Sequence, residues 1–158
     1  MPNYCENTLT MTAITNKAKK LLEDYEKLCY TVVSHYHQTQ EAITPQIFFN
    51  HFYPRPEHLD DSPREWNCEN WGTKWEAGIA VAEVERHSLD ITFQSAWCPP
   101  FAFYENMKEL GFSIEATYNE CGMGFLGTWD NDNGEVTLDY DDVELSTMAQ
   151  QVCDVYWD

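Results

Sequence analysis

An α+β fold with antiparallel strand pairing is predicted by three features of this sequence. Cys5, Asn7, Leu9, Met11 and Ala13 alternate with Glu6, Thr8, Thr10 and Thr12, which is the period of a half-buried strand. Ala18, Leu21, Leu22, Tyr25, Leu28 and Cys29 then recur in steps of three and four, the period of an amphipathic helix. Asn133 followed by Gly134 marks a hairpin turn leading into Val136, Leu138 and Tyr140.

The remaining elements follow in chain order. Asn16 or Thr15 caps the first helix, with Lys17, Lys19, Lys20 and Glu23 on its wet side. From Tyr30 to Phe52 the β-branched and aromatic content predicts one or two strands, with Ile47, Phe48 and Phe49 as the buried run. Pro54, Pro56 and Pro63 break regular structure, so Tyr53 to Pro63 is expected as a surface loop, with a short helix over Ser62 to Asn70. Ile79 to Arg86 and Leu89 to Ser95 are expected to pair as a hairpin turning at His87 and Ser88, with Leu89, Ile91 and Phe93 on one face. Pro99 and Pro100 open a helix with Phe103, Met107 and Leu110 inward, and it stops at Gly111. Phe112, Ile114, Ala116 and Tyr118 alternate as a strand. A last helix is expected from Asp141 or Asp142, carrying Leu145, Met148, Ala149, Val152 and Tyr156.

Composition limits the function classes. At 158 residues, with 43 % hydrophobic and 15 % aromatic content, the chain suffices for a single domain over 1–158 that buries roughly 70 % of its unfolded surface. No run approaches the roughly 20 apolar residues of a membrane span. Met1 to Ala13 lack the basic and apolar regions of a secretory signal, and Cys5, Cys29, Cys68, Cys98, Cys121 and Cys153 are widely spaced. Reduced thiols in a cytoplasmic protein are the expectation.

Charge is the second strong signal. The net charge is -18, the last basic residue is Lys108, and 12 acids follow it. Such a field either repels nucleic acid and anionic membrane and attracts basic protein surfaces, or serves only to keep an aromatic-rich chain soluble.

Four ordered blocks stand out: Met1 to Asn7, Asn70-Trp71-Gly72-Thr73-Lys74-Trp75, Ala96-Trp97-Cys98-Pro99-Pro100, and Gly122-Met123-Gly124-Phe125. Together they resemble the YubB-type family of phage and plasmid proteins, a family of unknown function with a ferredoxin-like domain. The resemblance spans residues 1–129 and leaves 130–158 as an acidic hairpin and helix outside it. It implies a ferredoxin-like sandwich, mostly antiparallel, with helices packed on one face. It also implies a mobile-element origin, where proteins often act on host defence, and it supplies no catalytic residues.

Asn7, Asn70, Trp71, Gly72, Lys74, Trp75, Trp97, Cys98, Pro99, Gly124 and Phe125 are the candidate cleft. Either the three indoles form a stacking platform for a small molecule or nucleotide, or they pack the core edge with Lys74 over a ring. The structural role is the one expected. His35 and His37 on one strand face, with His51 or Asp61, are a weak metal pattern, and Asp130 to Glu135 resembles part of a calcium loop that a hairpin turn explains better. No metal, cofactor or acid and base pair is expected, so the chain is read as a non-enzymatic protein.

The sharper expectation concerns acids. Glu83 with Glu85, and Asp139 with Asp141, stand at alternate strand positions, about 6.8 Å apart. Asp130, Asp132, Asp142, Glu144 and Asp154 extend the same face. A surface of this kind imitates nucleic acid and suits the basic groove of a host nuclease or ribonucleoprotein, without binding nucleic acid itself. A homodimer through the final helix is a further option.

Overall fold

The computed structural model describes residues 3–39, 47–59 and 63–142. In order these form β1 (Tyr4–Ala13), α1 (Asn16–Thr39), α2 (Phe48–Phe52), α3 (Pro63–Asn70), β2 (Gly78–Glu85), β3 (Ser88–Ala96), α4 (Phe101–Leu110), β4 (Phe112–Glu120), β5 (Phe125–Asp130) and β6 (Gly134–Asp139), closing with a 3-10 turn at Tyr140–Asp142. The strands make one open antiparallel sheet in the order β2-β3-β1-β4-β5-β6.

β1 lies at the centre and its alternation is as expected: Cys5, Asn7, Leu9, Met11 and Ala13 are all buried. Register carries the same side across the sheet. Leu9 pairs with Ile91 and with Ala116, and Ala116 pairs with Trp129, so one face of every central strand is apolar. The helices cover that face. Thr15 caps α1 by accepting the Ala18 N–H at 3.2 Å, and Ala18, Leu22 and Tyr25 face the core. The core itself is aromatic, with Phe48 tilted against Tyr25, Phe93 and Phe103, and Phe52 edge-on to Phe112.

One expectation fails between Tyr30 and Phe52. No strand forms there among the described residues: α1 continues to Thr39, and Phe48–Phe52 is a helical turn. Strand propensity mostly records how side chains pack on a pleated surface, and here a distant side chain decides otherwise. The Glu76 carboxylate accepts the N–H groups of Phe49 at 2.7 Å and Asn50 at 2.9 Å, satisfying donors that a helix start leaves open. Spacing of one and four then puts Phe48, Phe49 and Phe52 on a single buried side. The β2–β3 turn falls at Arg86 and His87, one residue earlier than expected, and Ser88 already pairs with Glu85. Both hairpins form otherwise, and Asp130 pairs with Gly134 across the second. The helix expected after Asp142 lies outside the described residues.

Candidate protein-binding surface

The strand period that fills the core also builds the opposite face. Residues between the buried ones, Glu6, Thr8, Thr10 and Thr12 on β1 and their partners, point away from the helices. Thr92, Thr8, Thr117 and Thr128 make one row across four strands. The next row holds Glu83, Asp90, Thr10, Glu115 and Asp130, each in register with its neighbour. Four strand steps at roughly 4.8 Å set four carboxylates along about 19 Å. None of the six strands contains Lys, Arg or His, so no cation within the sheet neutralises the row. A hollow of about 730 Å3 lies beside it, lined by Thr8, Thr10, Glu115, Thr117, Thr128 and Asp130 among others.

Local bonds orient parts of this row. Thr10 Oγ1 donates to Asp90 Oδ1 at 2.6 Å. Asp130 Oδ1 accepts the N–H groups of Asp132 and Asn133, both at 2.8 Å, and Asn133 Nδ2 reaches Oδ2 at 2.9 Å. These bonds, the Asn133 side chain first, hold the Asp130 carboxyl below its ordinary range. They also make it the organiser of the hairpin turn.

The expected acids divide between places. Glu83 and Glu85 share the open face at the β2 edge, and Asp130 lies four strands away in the same row. Asp132 is in the β5–β6 turn. Asp139 pairs with Phe125, on the helix side of the opposite edge, and Asp141 belongs to the 3-10 turn, so those two are not an alternating strand pair. Asp142 ends that turn, while Glu144 and Asp154 lie outside the described residues. Asp90 and Glu115 escaped the sequence argument. Their signal was present, since each alternates with buried apolar neighbours, but only the register aligns them.

The described residues of the four sequence blocks converge at one end of the sheet. Trp71 is buried, its Nε1 donates to Tyr53 O at 3.0 Å, and Trp66 stands edge-on to it. Gly72 has φ 82°, and a Cβ there would stand 3.0 Å from the Ala102 nitrogen, so only glycine lets this loop lie against the start of α4. Thr73 Oγ1 accepts the Ala96 N–H at 3.1 Å and donates to Ala96 O at 3.3 Å. Asn7 is fully buried and donates to Cys5 O at 2.9 Å and Ser95 Oγ at 2.8 Å, while Asn70 Nδ2 closes α3 through Trp66 O at 2.9 Å. Pro99 is buried ahead of α4. Gly124 accepts the Tyr140 N–H at 2.7 Å, and Phe125 lies edge-on to Tyr118. Glu120, also buried, accepts the N–H groups of Gly122 and Met123 at 2.9 and 2.6 Å.

The three indoles are therefore not one platform. Trp71 belongs to the core, whereas Trp75 and Trp97 are exposed, and the Lys74 ammonium lies 4.7 Å from the centre of the Trp97 ring. Cys98 Sγ donates to Gly72 O at 3.3 Å, and burial, with Cys68 and Glu135 nearby, pushes its thiol up. That direction is the opposite of the lowered thiol pKa found in reactive cysteines. Cys5, Cys29, Cys68, Cys98 and Cys121 are free.

His35 and His37 fall within α1 rather than on a strand, His51 Nε2 is bonded to Leu21 O at 2.8 Å, and Asp61 lies outside the described residues. Among the described residues no group of three His, Cys, Asp or Glu side chains is placed to hold a metal, and no helix is long and apolar enough to cross a membrane. Compared with family models, with curated proteins and with solved structures, the chain finds no match.

Proposed function

We propose that this chain is a non-enzymatic acidic binding protein of phage or other mobile-element origin. It acts in the cytoplasm of the host cell by occupying the basic, nucleic-acid-binding surface of a defence nuclease or ribonucleoprotein. The observation that carries this reading is the row Glu83, Asp90, Glu115 and Asp130 crossing a sheet face without a single cation. Four charges in about 19 Å approach the charge of one DNA strand, which carries about one per 3.4 Å of axis. Carboxylates on adjacent strands repel one another, so fold stability does not account for the row. A basic partner is the occupant it suits. The ferredoxin-like assignment belongs to the same proposal. It is supported by the β-α-β-β-α-β succession of β1, α1, β2, β3, α4 and β4, in which β2 and β3 form a hairpin beside β1.

Association of this kind is steered electrostatically and weakens as salt rises. The test is affinity capture from host-cell lysate with the wild-type chain and with Glu83→Lys, Asp90→Lys and Glu115→Lys combined, sparing Asp130 because it builds the turn. One basic nucleic-acid-binding protein, retained by the wild type, released by salt and absent from the variant, is the expected result. Equal retention by a variant that is folded by circular dichroism contradicts the proposal.

A further inference from the structure

We infer that the exposed aromatic end of the sheet is the apolar anchor for the same basic protein partner that the acidic row attracts, an inference that rests on the function proposed above. Four segments that each carry a large side chain are brought together there. Tyr4 lies on the open face in register with Ala96. Trp97 follows Ala96 and its N–H donates to Asn3 O at 3.0 Å. The Asn3 amide stands 2.6 Å from where a Cβ on Gly122 would be, beside Met123, and Lys74 lies over Trp97 with Trp75 next in the chain. Tyr4, Trp75, Trp97 and Met123 are between 38 and 65 % exposed. Contiguous exposed apolar surface marks partner contacts, and Trp, Tyr and Met are the residues enriched where partners bind.

Backbone geometry adds a second, independent mark. Trp97 sits at φ 71°, a left-handed conformation that bulky residues avoid. Such a conformation persists only where its surroundings over-determine it. Here the hydrogen bond to Asn3 O, the pair of hydrogen bonds between Thr73 Oγ1 and the Ala96 backbone, and Ser95 Oγ donating to Cys98 O at 2.7 Å fix the residues on either side. All of this holds a partly exposed indole at the surface.

Charge selects the occupant. A second copy would bring another -18 to this end, so the complementary surface is a different protein, apolar at its centre and basic around it. Reach allows one partner to span both features. Tyr4 and Thr10 in the acidic row stand six residue steps apart along β1, about 20 Å, which fits within a contact of about 800 Å2 per partner.

The probe is a displayed library of random 12-residue peptides, selected on the full wild-type chain and then measured against Trp97→Gly and Met123→Ser. Glycine adopts the left-handed conformation freely, so Trp97→Gly keeps the loop and its melting temperature while removing the ring. The expected peptides carry Lys or Arg flanking an aromatic or aliphatic centre and bind Trp97→Gly at least tenfold more weakly, through faster dissociation, with the salt dependence unchanged. Basic peptides that bind the wild type and both variants equally overturn the anchor and leave the acidic reading standing. Apolar peptides without Lys or Arg that depend on Trp97 retain the anchor and remove the basic partner, so the two failures are distinct.

Discussion

The two faces of this sheet are made from the same strands, yet their chemistry is opposite. On the helix side, Leu9, Ile91, Phe93, Ile114 and Trp129 are buried beneath α1, α2 and α4. On the open side, the intervening residues of those strands are Thr8, Thr10, Asp90, Glu115 and Asp130. An antiparallel sheet with one covered face permits this separation because successive side chains point to opposite faces. Core packing and surface charge thus occupy alternate positions of one strand. Substitutions can therefore change one and spare the other.

The largest effect is expected on the covered face. Phe48→Ala removes the ring that touches Tyr25, Phe49, Phe52, Phe93 and Phe103 and should lower unfolding stability by about 3 to 5 kcal/mol in urea denaturation. Gly127→Ala comes next. A Cβ there would stand 2.2 Å from Val136 O and 2.5 Å from the Tyr118 hydroxyl oxygen. Forcing those apart should cost about 1 to 3 kcal/mol, and amide exchange in β6 should accelerate more than in β1.

Glu76 tests what holds α2 to the covered face. Its carboxylate takes three backbone N–H groups, from Phe49, Asn50 and Ala77, and Glu76→Gln replaces one acceptor with a donor, at about 1 kcal/mol. Burial, against the opposing hydrogen bonds, raises the Glu76 carboxyl above its ordinary range. The native chain therefore holds that proton more tightly than the unfolded chain. This contribution to stability is present below the ordinary carboxylate pKa and is lost as pH rises through the raised value. In denaturation at a series of pH values, the deficit of Glu76→Gln should shrink as pH rises across that window. A constant deficit would mean the carboxyl is unperturbed.

The smallest effect has the opposite sign. Glu115 stands directly opposite Asp130, and like charges in that position are unfavourable. Glu115→Gln should raise stability by a few tenths of a kcal/mol while weakening partner capture. Loss of stability instead would place Glu115 among the residues that hold the fold.

Much of the fold was legible because its signals are local. The alternation of β1 and β4, the Pro99–Pro100 and Gly111 limits of α4, and the Asn133–Gly134 turn each lie within a dozen residues. α2 was not legible, since its start is completed by Glu76, 27 residues beyond Phe49. The acidic row was legible only in pieces. Glu83 and Asp130 were found, but Asp90 and Glu115 join them through pairings of β1 with β3 and β4 across long stretches of chain, and no local pattern encodes a register. The Trp71-to-Trp75 block was visible as a motif, yet its division into a buried Trp71 and an exposed Trp75 depends on the packing of Gly72 against α4.

The most direct measurement compares two charge reversals of equal size on opposite sides of the molecule. Glu83→Lys, Asp90→Lys and Glu115→Lys alter the open face, while Glu23→Lys, Glu105→Lys and Glu109→Lys alter exposed positions on α1 and α4, with the same change in net charge. Association of each purified chain with the captured partner is followed by surface plasmon resonance across a salt series. Loss of binding from the open-face variant alone, with the helix-side variant close to wild type, is the predicted result. Equal losses from both would show that net charge rather than the carboxylate row drives association, and would contradict the account.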